Sequence, residues 1–164
     1  MAAIALNGHR TAQSIKSGHV TYDIERYEDY WCADRDPVTK ECTDRRGDRW
    51  YSDGSESTDA LIKGNIQSSL TSICLDGTPI CVAGDSVDEN WTASPPVPSN
   101  TSRTRYYNIR PGTSDSGRGY ISAGNNSNVY ANGKLIAVQG STVTTHLNTS
   151  TTIQEGNQSV HIGG

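Results

Sequence analysis

The feature that most constrains this chain is a phrase that recurs, with one copy cut across the two ends. Residues 72–87, "SICLDGTPICVAGDSV", lie over residues 128–143, "NVYANGKLIAVQGSTV". Ile73 meets Val129, Asp76 meets Asn132, Gly77 meets Gly133, Ile80 meets Ile136, Val82 meets Val138, Gly84 meets Gly140 and Val87 meets Val143. Upstream of each lies a shorter matching piece, "IKGN" at 62–65 and "ISAGN" at 121–125. A third upstream piece closes the chain: "TIQEGNQSVHIGG" (152–164) parallels "YISAGNNSNVYANG" (120–133) with one residue deleted, and it stops at the turn glycine. The strand that should follow is found at the other end, where "AIALNGH" (3–9) matches "LIAVQGS" (135–141). A repeat divided in this way predicts that the N- and C-terminal strands pair and that three copies close into a ring-like, pseudo-threefold unit. Closure also removes exposed sheet edges.

The turns have a local cause. Asp-Gly and Asn-Gly supply the positive φ of tight hairpins, and β-branched residues flank them. The rest of the composition agrees: 33% hydrophobic residues, 16 Gly, 6 Pro and no Phe in 164 residues favour many short strands in one domain, with no long helix. A net charge of −4 offers no basic field for a phosphate backbone, which argues against nucleic acid as a partner. The opening residues lack the basic and apolar regions of an export signal, and no segment reaches the length of a membrane span.

Two insertions interrupt the repeats. Residues 21–60 are rich in charge and aromatics, and are expected to form an irregular surface excursion pinned by Trp31, Trp50 and the pair Cys32/Cys42, which can close a disulfide or bind a metal. Residues 93–113 open with "ASPPVPSNTSRT", expected to be a stiff extended linker. Cys74 and Cys81 flank "LDGTPI", and are either a cross-strand bridge or ordinary buried thiols.

The repeated unit, I-x-x-G-N/S followed by V-x-x-N/D-G-x-x-x-A-x-x-G-D/S, resembles the PAAR-repeat family, the small pointed proteins that cap the spikes of contractile injection machines. "TPICVAGD" (78–85) is the nearest to that family's Pro-Ala-Ala-Arg-x-Gly-Asp phrase, and "KLIAVQGS" and "AAIALNGH" are more divergent. The resemblance covers both termini and roughly residues 62–87 and 120–164. It implies an all-β cone of short hairpins with pseudo-threefold symmetry, whose broad base sits on the blunt end of a trimeric β-helical spike, one tip per trimer. It also implies an apical metal held by histidines and a cysteine, zinc or iron by ligand chemistry.

Four histidines are present. His146 follows the second hairpin in a short polar loop, and His9 and His19 follow the split one, so these three are the candidate metal ligands, His19 and His146 first. His161 aligns with Tyr130 and is expected at a surface or interface. No cysteine closely follows His146 or His9, so a fourth ligand would be Cys32, Cys42, another residue or water.

The resemblance implies a structural, non-enzymatic spike tip that helps breach the host outer membrane. A phage tail tip in the virion comes first and a type VI secretion tip second, with neighbouring baseplate proteins as further partners. Two other classes compete. Asp23, Glu25, Glu28 and Asp29 supply carboxylates for acid–base hydrolysis, but no nucleophile elbow or metalloprotease helix accompanies them. Tyr30, Trp31, Trp50 and Tyr51 suit a disulfide-stabilised carbohydrate-binding module.

Overall fold

Between residues 86 and 94 burial alternates: Val87, Glu89, Trp91 and Ala93 point inward, while Asp88, Asn90, Thr92 and Ser94 are exposed. That is the two-residue period of a strand covered on one face. The computed structural model describes residues 1–163, and the strands run in chain order as follows: β1 (Ala2–Ala3), β2 (Ser14–Glu28), β3 (Trp31–Arg35), β4 (Cys42–Arg46), β5 (Arg49–Gln67), β6 (Cys74–Leu75), β7 (Thr78–Pro79), β8 (Ser86–Ser94), β9 (Thr104–Arg110), β10 (Ser114–Ile121), β11 (Tyr130–Ala131), β12 (Lys134–Leu135), β13 (Thr142–Thr144), β14 (Ser150–Thr152) and β15 (His161–Ile162). No helix occurs among the described residues.

Seven strands form one antiparallel sheet in the order β14-β13-β10-β8-β5-β2-β9, curled into half a barrel. Its concave face buries two apolar layers. The layer nearer the repeats packs Ile66, Val87, Ile121, Val143 and Ile153 around Ala5, Cys81 and Ala137. The next packs Val20, Ala60, Ile62, Trp91 and Ala93. Each fully buried aliphatic side chain stabilises by about 1.5–3 kcal/mol, so these layers hold the sheet's curl against the entropy of ordering it. Four two-stranded units complete the fold: β1 with β15, β3 with β4, β6 with β7 and β11 with β12. The N- and C-terminal strands therefore pair, as the split repeat predicts, with Ala2 opposite Ile162 and Ala3 opposite His161.

Residues 21–60 depart from expectation. They are regular: β2 and β5, of 15 and 19 residues, form a long ribbon that ends in the β3–β4 hairpin. An alternation does exist at its root, where Val20, Tyr22 and Ile24 face the core. Beyond it no residue from 25 to 57 is buried. Polar and aromatic cross-strand pairs such as Tyr27–Trp50 replace apolar alternation there, which hides the strands from a hydrophobicity reading. Part of the 93–113 insertion is also strand: β9 lies against β2 as the sheet's edge, and residues 95–103 and 111–113 stay irregular.

The upstream pieces align differently as well. Gly8, Gly84 and Gly140 donate backbone hydrogen bonds to the carbonyls of Ile66, Ile121 and Ile153 respectively, at 2.8, 2.8 and 2.9 Å. The residue matching Ile121 is therefore Ile66, four places after the Ile62 of "IKGN". Both isoleucines lie on the buried face of β5, and a four-residue shift preserves that face, so the pattern alone does not separate the two registers.

Candidate functional site

The repeated phrases build a closed circuit. Ala5 donates its N–H to the Ala137 carbonyl, Ala137 donates to Cys81, and Cys81 donates back to Ala5, at 3.0, 2.8 and 3.0 Å. A second circuit surrounds it, Asn7 to Pro79, Ala83 to Leu135 and Gln139 to Ala3, at 2.8, 2.8 and 2.7 Å. Single bridges join Leu6 to Ile80, Val82 to Ile136 and Ile4 to Val138. Those six side chains, with Ala131 and Ile162, form the third apolar cluster. At the circuit's centre the Cys81 thiol is fully buried, and that burial pushes its pKa up to about 12, so it remains a protonated apolar group.

Each hairpin leaves the ring in the same way. Ile80, Ile136 and Ile4 donate to the carbonyls of Ile73, Val129 and Val160. Asp76 and Gly77 (φ 51° and 79°) and Asn132 and Gly133 (φ 49° and 76°) form the tight turns. Each strand after its hairpin closes with one acceptor. His9 Nδ1, Asp85 Oδ2 and Ser141 Oγ take the N–H of Leu6, Val82 and Val138 at 3.1, 2.9 and 2.9 Å. This explains why the residue after the repeat's glycine is Asp, Ser or here His: the turn needs a side-chain acceptor three residues after an otherwise orphaned donor. His9 is thus a member of the ring, with Nδ1 occupied and its proton on Nε2.

His146 is placed elsewhere, in the loop between β13 and β14. Its N–H and Nδ1 lie 2.8 and 2.9 Å from one oxygen, Glu89 Oε1. Glu89 is fully buried on the inner face of β8, its register partners in the neighbouring strands being Gly64 and Gly117. Both glycines are needed for space: a Cβ on Gly117 would run into the His146 imidazole, and one on Gly64 would press on the Glu89 stem. Glu89 Oε2 and His146 Nε2 are buried with no hydrogen-bond partner. His19 sits nearby, edge-on to Trp91 at 4.8 Å between ring centroids. Burial lowers its pKa below the ordinary histidine value, and the Lys16 and His146 charges push in the same direction.

The structure therefore brings His19 and His146 into one neighbourhood, adds Glu89, which the sequence reading passed over, and leaves His9 in the ring. Among the described residues no three His, Cys, Asp or Glu side chains converge to hold a metal ion. Cys32 and Cys42 form a disulfide across the β3–β4 hairpin, so neither offers a thiolate, while Cys74 and Cys81 are free. His9 therefore lies apart from His19 and His146 in this arrangement. His161 is exposed on β15, opposite Ala3.

The four ribbon carboxylates that could serve acid–base chemistry, Asp23, Glu25, Glu28 and Asp29, are all engaged. Asp23 accepts from Ser55 and Asn108 at 2.6 and 2.8 Å, and those bonds hold its pKa below the usual carboxylate range. Glu25 pairs with Arg105, Glu28 with Arg49 and Trp31 Nε1, and Asp29 with Arg103. Guanidinium groups cover aromatic faces too, Arg105 over Trp50 at 3.5 Å and Arg45 over Tyr30 at 4.8 Å. Comparison of the chain with protein-family models, with curated proteins and with solved structures found no match.

Proposed function

We propose that this chain is the non-enzymatic tip of a contractile injection spike, a phage tail tip first and a type VI secretion tip second. The observation that carries the reading is the pair of closed hydrogen-bond circuits through Ala5, Cys81 and Ala137 and through their neighbours. In this reading the circuits are the base of a cone with pseudo-threefold symmetry, and the three hairpins continue the strands of three identical spike chains. One chain then matches a threefold end that no single asymmetric surface would satisfy. Exposed apolar groups support a contact on that side: Val129, Tyr130 and Val160 are 39%, 56% and 37% exposed, and Val129 and Val160 occupy matching places beside their hairpins.

The competing readings receive less support. A sugar-stacking face would have to displace Arg105 from Trp50 and Arg45 from Tyr30. A hydrolase would need a free carboxylate pair, and Asp23, Glu25, Glu28 and Asp29 are tied to arginines or an amide.

The test is stoichiometric. Mixed with a candidate trimeric spike and analysed by light scattering after gel filtration, the chain is expected to elute in a complex of one tip per three spike chains. One tip bound to every spike chain would remove the symmetry argument and with it this function.

A further inference from the structure

Away from the ring, Arg45, Arg46 and Arg49 line one concavity of about 400 Å³ together with Gly47, at the junction of β4 and β5. Three guanidinium groups around one hollow repel each other, and here each is held from behind. Arg46 forks onto Asp44 through Nε and Nη2, at 3.2 and 3.0 Å. Arg49 uses Nε to reach one oxygen of Glu28 at 3.3 Å, and the other oxygen accepts from Trp31 Nε1 at 2.7 Å. Arg45 rests on the Tyr30 ring and enters no ion pair among the described residues. The anchors therefore leave free the whole fork of Arg45, Nη1 of Arg46 and both Nη atoms of Arg49.

The backbone beneath the hollow is tightly packed. Gly47 adopts φ 76° and packs so closely on the Asp29 carbonyl and the Trp31 ring that any Cβ would collide there. The Cys32–Cys42 disulfide ties the two strands that lead into it. Planar, permanently charged donors held in place before a ligand arrives are what a tetrahedral dianion requires, because little ordering entropy remains to be lost on binding.

We propose that Arg45, Arg46 and Arg49 form a binding site for a phosphomonoester, presented on a lipid headgroup or free in solution. The site is independent of what the ring docks on, so its failure and the failure of the spike reading are separate results. Arginine side-chain Nε–H resonances, followed by NMR at constant ionic strength in chloride, give the direct readout. Glucose 1-phosphate is expected to shift the signals of Arg45, Arg46 and Arg49 saturably, and glucose is expected to leave them unmoved. R45Q should weaken binding about tenfold, the loss of one charge-assisted contact, whereas R118Q, on a distant exposed arginine of the sheet, should not weaken it. Because Arg45 is exposed, the amide spectrum of R45Q should otherwise match the parent. Flotation with phosphatidylcholine vesicles, with and without phosphatidic acid, separates the sources. Binding to phosphatidic acid that R45Q weakens assigns the lipid headgroup; binding of the soluble ester alone assigns the free form. Equal titration of R45Q and parent, equal shifts from glucose, or no response to either phosphate source overturns the proposal.

Discussion

Glu89 shows how much one side chain organises here. It accepts both His146 donors while fully buried, so Glu89→Ala leaves two donors without a partner and is expected to cost about 2–4 kcal/mol in urea unfolding. Gly117→Ala should cost about 1–3 kcal/mol by driving a methyl into the imidazole. At His9 the expectation has a different form. If its role is the turn acceptor shared with Asp85 and Ser141, His9→Ser should remain within about 1 kcal/mol of the parent, while His9→Leu should lose about 1–2 kcal/mol. Equal losses in the two variants would refute the equivalence. His19 supplies a pH dependence. Its folded pKa is depressed, so the unfolded chain binds the proton more readily. Stability therefore falls as pH drops below the ordinary histidine value of 6.5, until folded His19 is protonated as well. The urea midpoint should decline less between pH 7 and 5 in His19→Asn than in the parent.

Among the elements, the hairpins were the most legible and the ribbon the least. Asp76-Gly77 and Asn132-Gly133 announce their turns chemically, and the paired ends follow from a repeat whose second half lies at Ala3–Ile4. The β2–β5 ribbon was hidden because its outer half buries nothing, so no apolar period marks it. The histidine pocket was half legible: a polar loop pointed to His146, but Glu89 is visible only once β8 is known to bury every second residue, charge included. The signal available was glycine in strand positions on both sides, Gly64 and Gly117. The β3–β4 hairpin has no core of its own, and isolated two-stranded hairpins are marginal in water. Its order is therefore expected to depend on Cys32–Cys42, a cross-link worth about 2–4 kcal/mol. Reduction should bring hydrogen exchange of the residue 31–46 amides close to unprotected rates while the amides of Ala5, Cys81 and Ala137 stay protected. Uniform protection after reduction would show that the ribbon stands without the bond.

For the whole molecule, the ring and the half-barrel share one continuous interior, since Ala5, Cys81 and Ala137 touch the layer built from Ile66, Val87, Ile121, Val143 and Ile153. Substitutions in the ring should consequently lower global stability, whereas those in the β3–β4 hairpin should not. The pairing of β1 with β15 also has a consequence for time. Ala2 meets Ile162 and Ile4 meets Val138, partners far apart in sequence, so β1 cannot find them until residues 138–162 have been made. The ribbon and the β6–β7 hairpin need no such wait, because their strands pair with partners much closer in sequence, Ser14 with Ile62 being the farthest. Such distant partners predict slow folding, and ring closure is expected after the transition state. Trimming β1 should then accelerate unfolding far more than it delays folding, and the pairing of β1 with β15 acts as the clasp of the molecule.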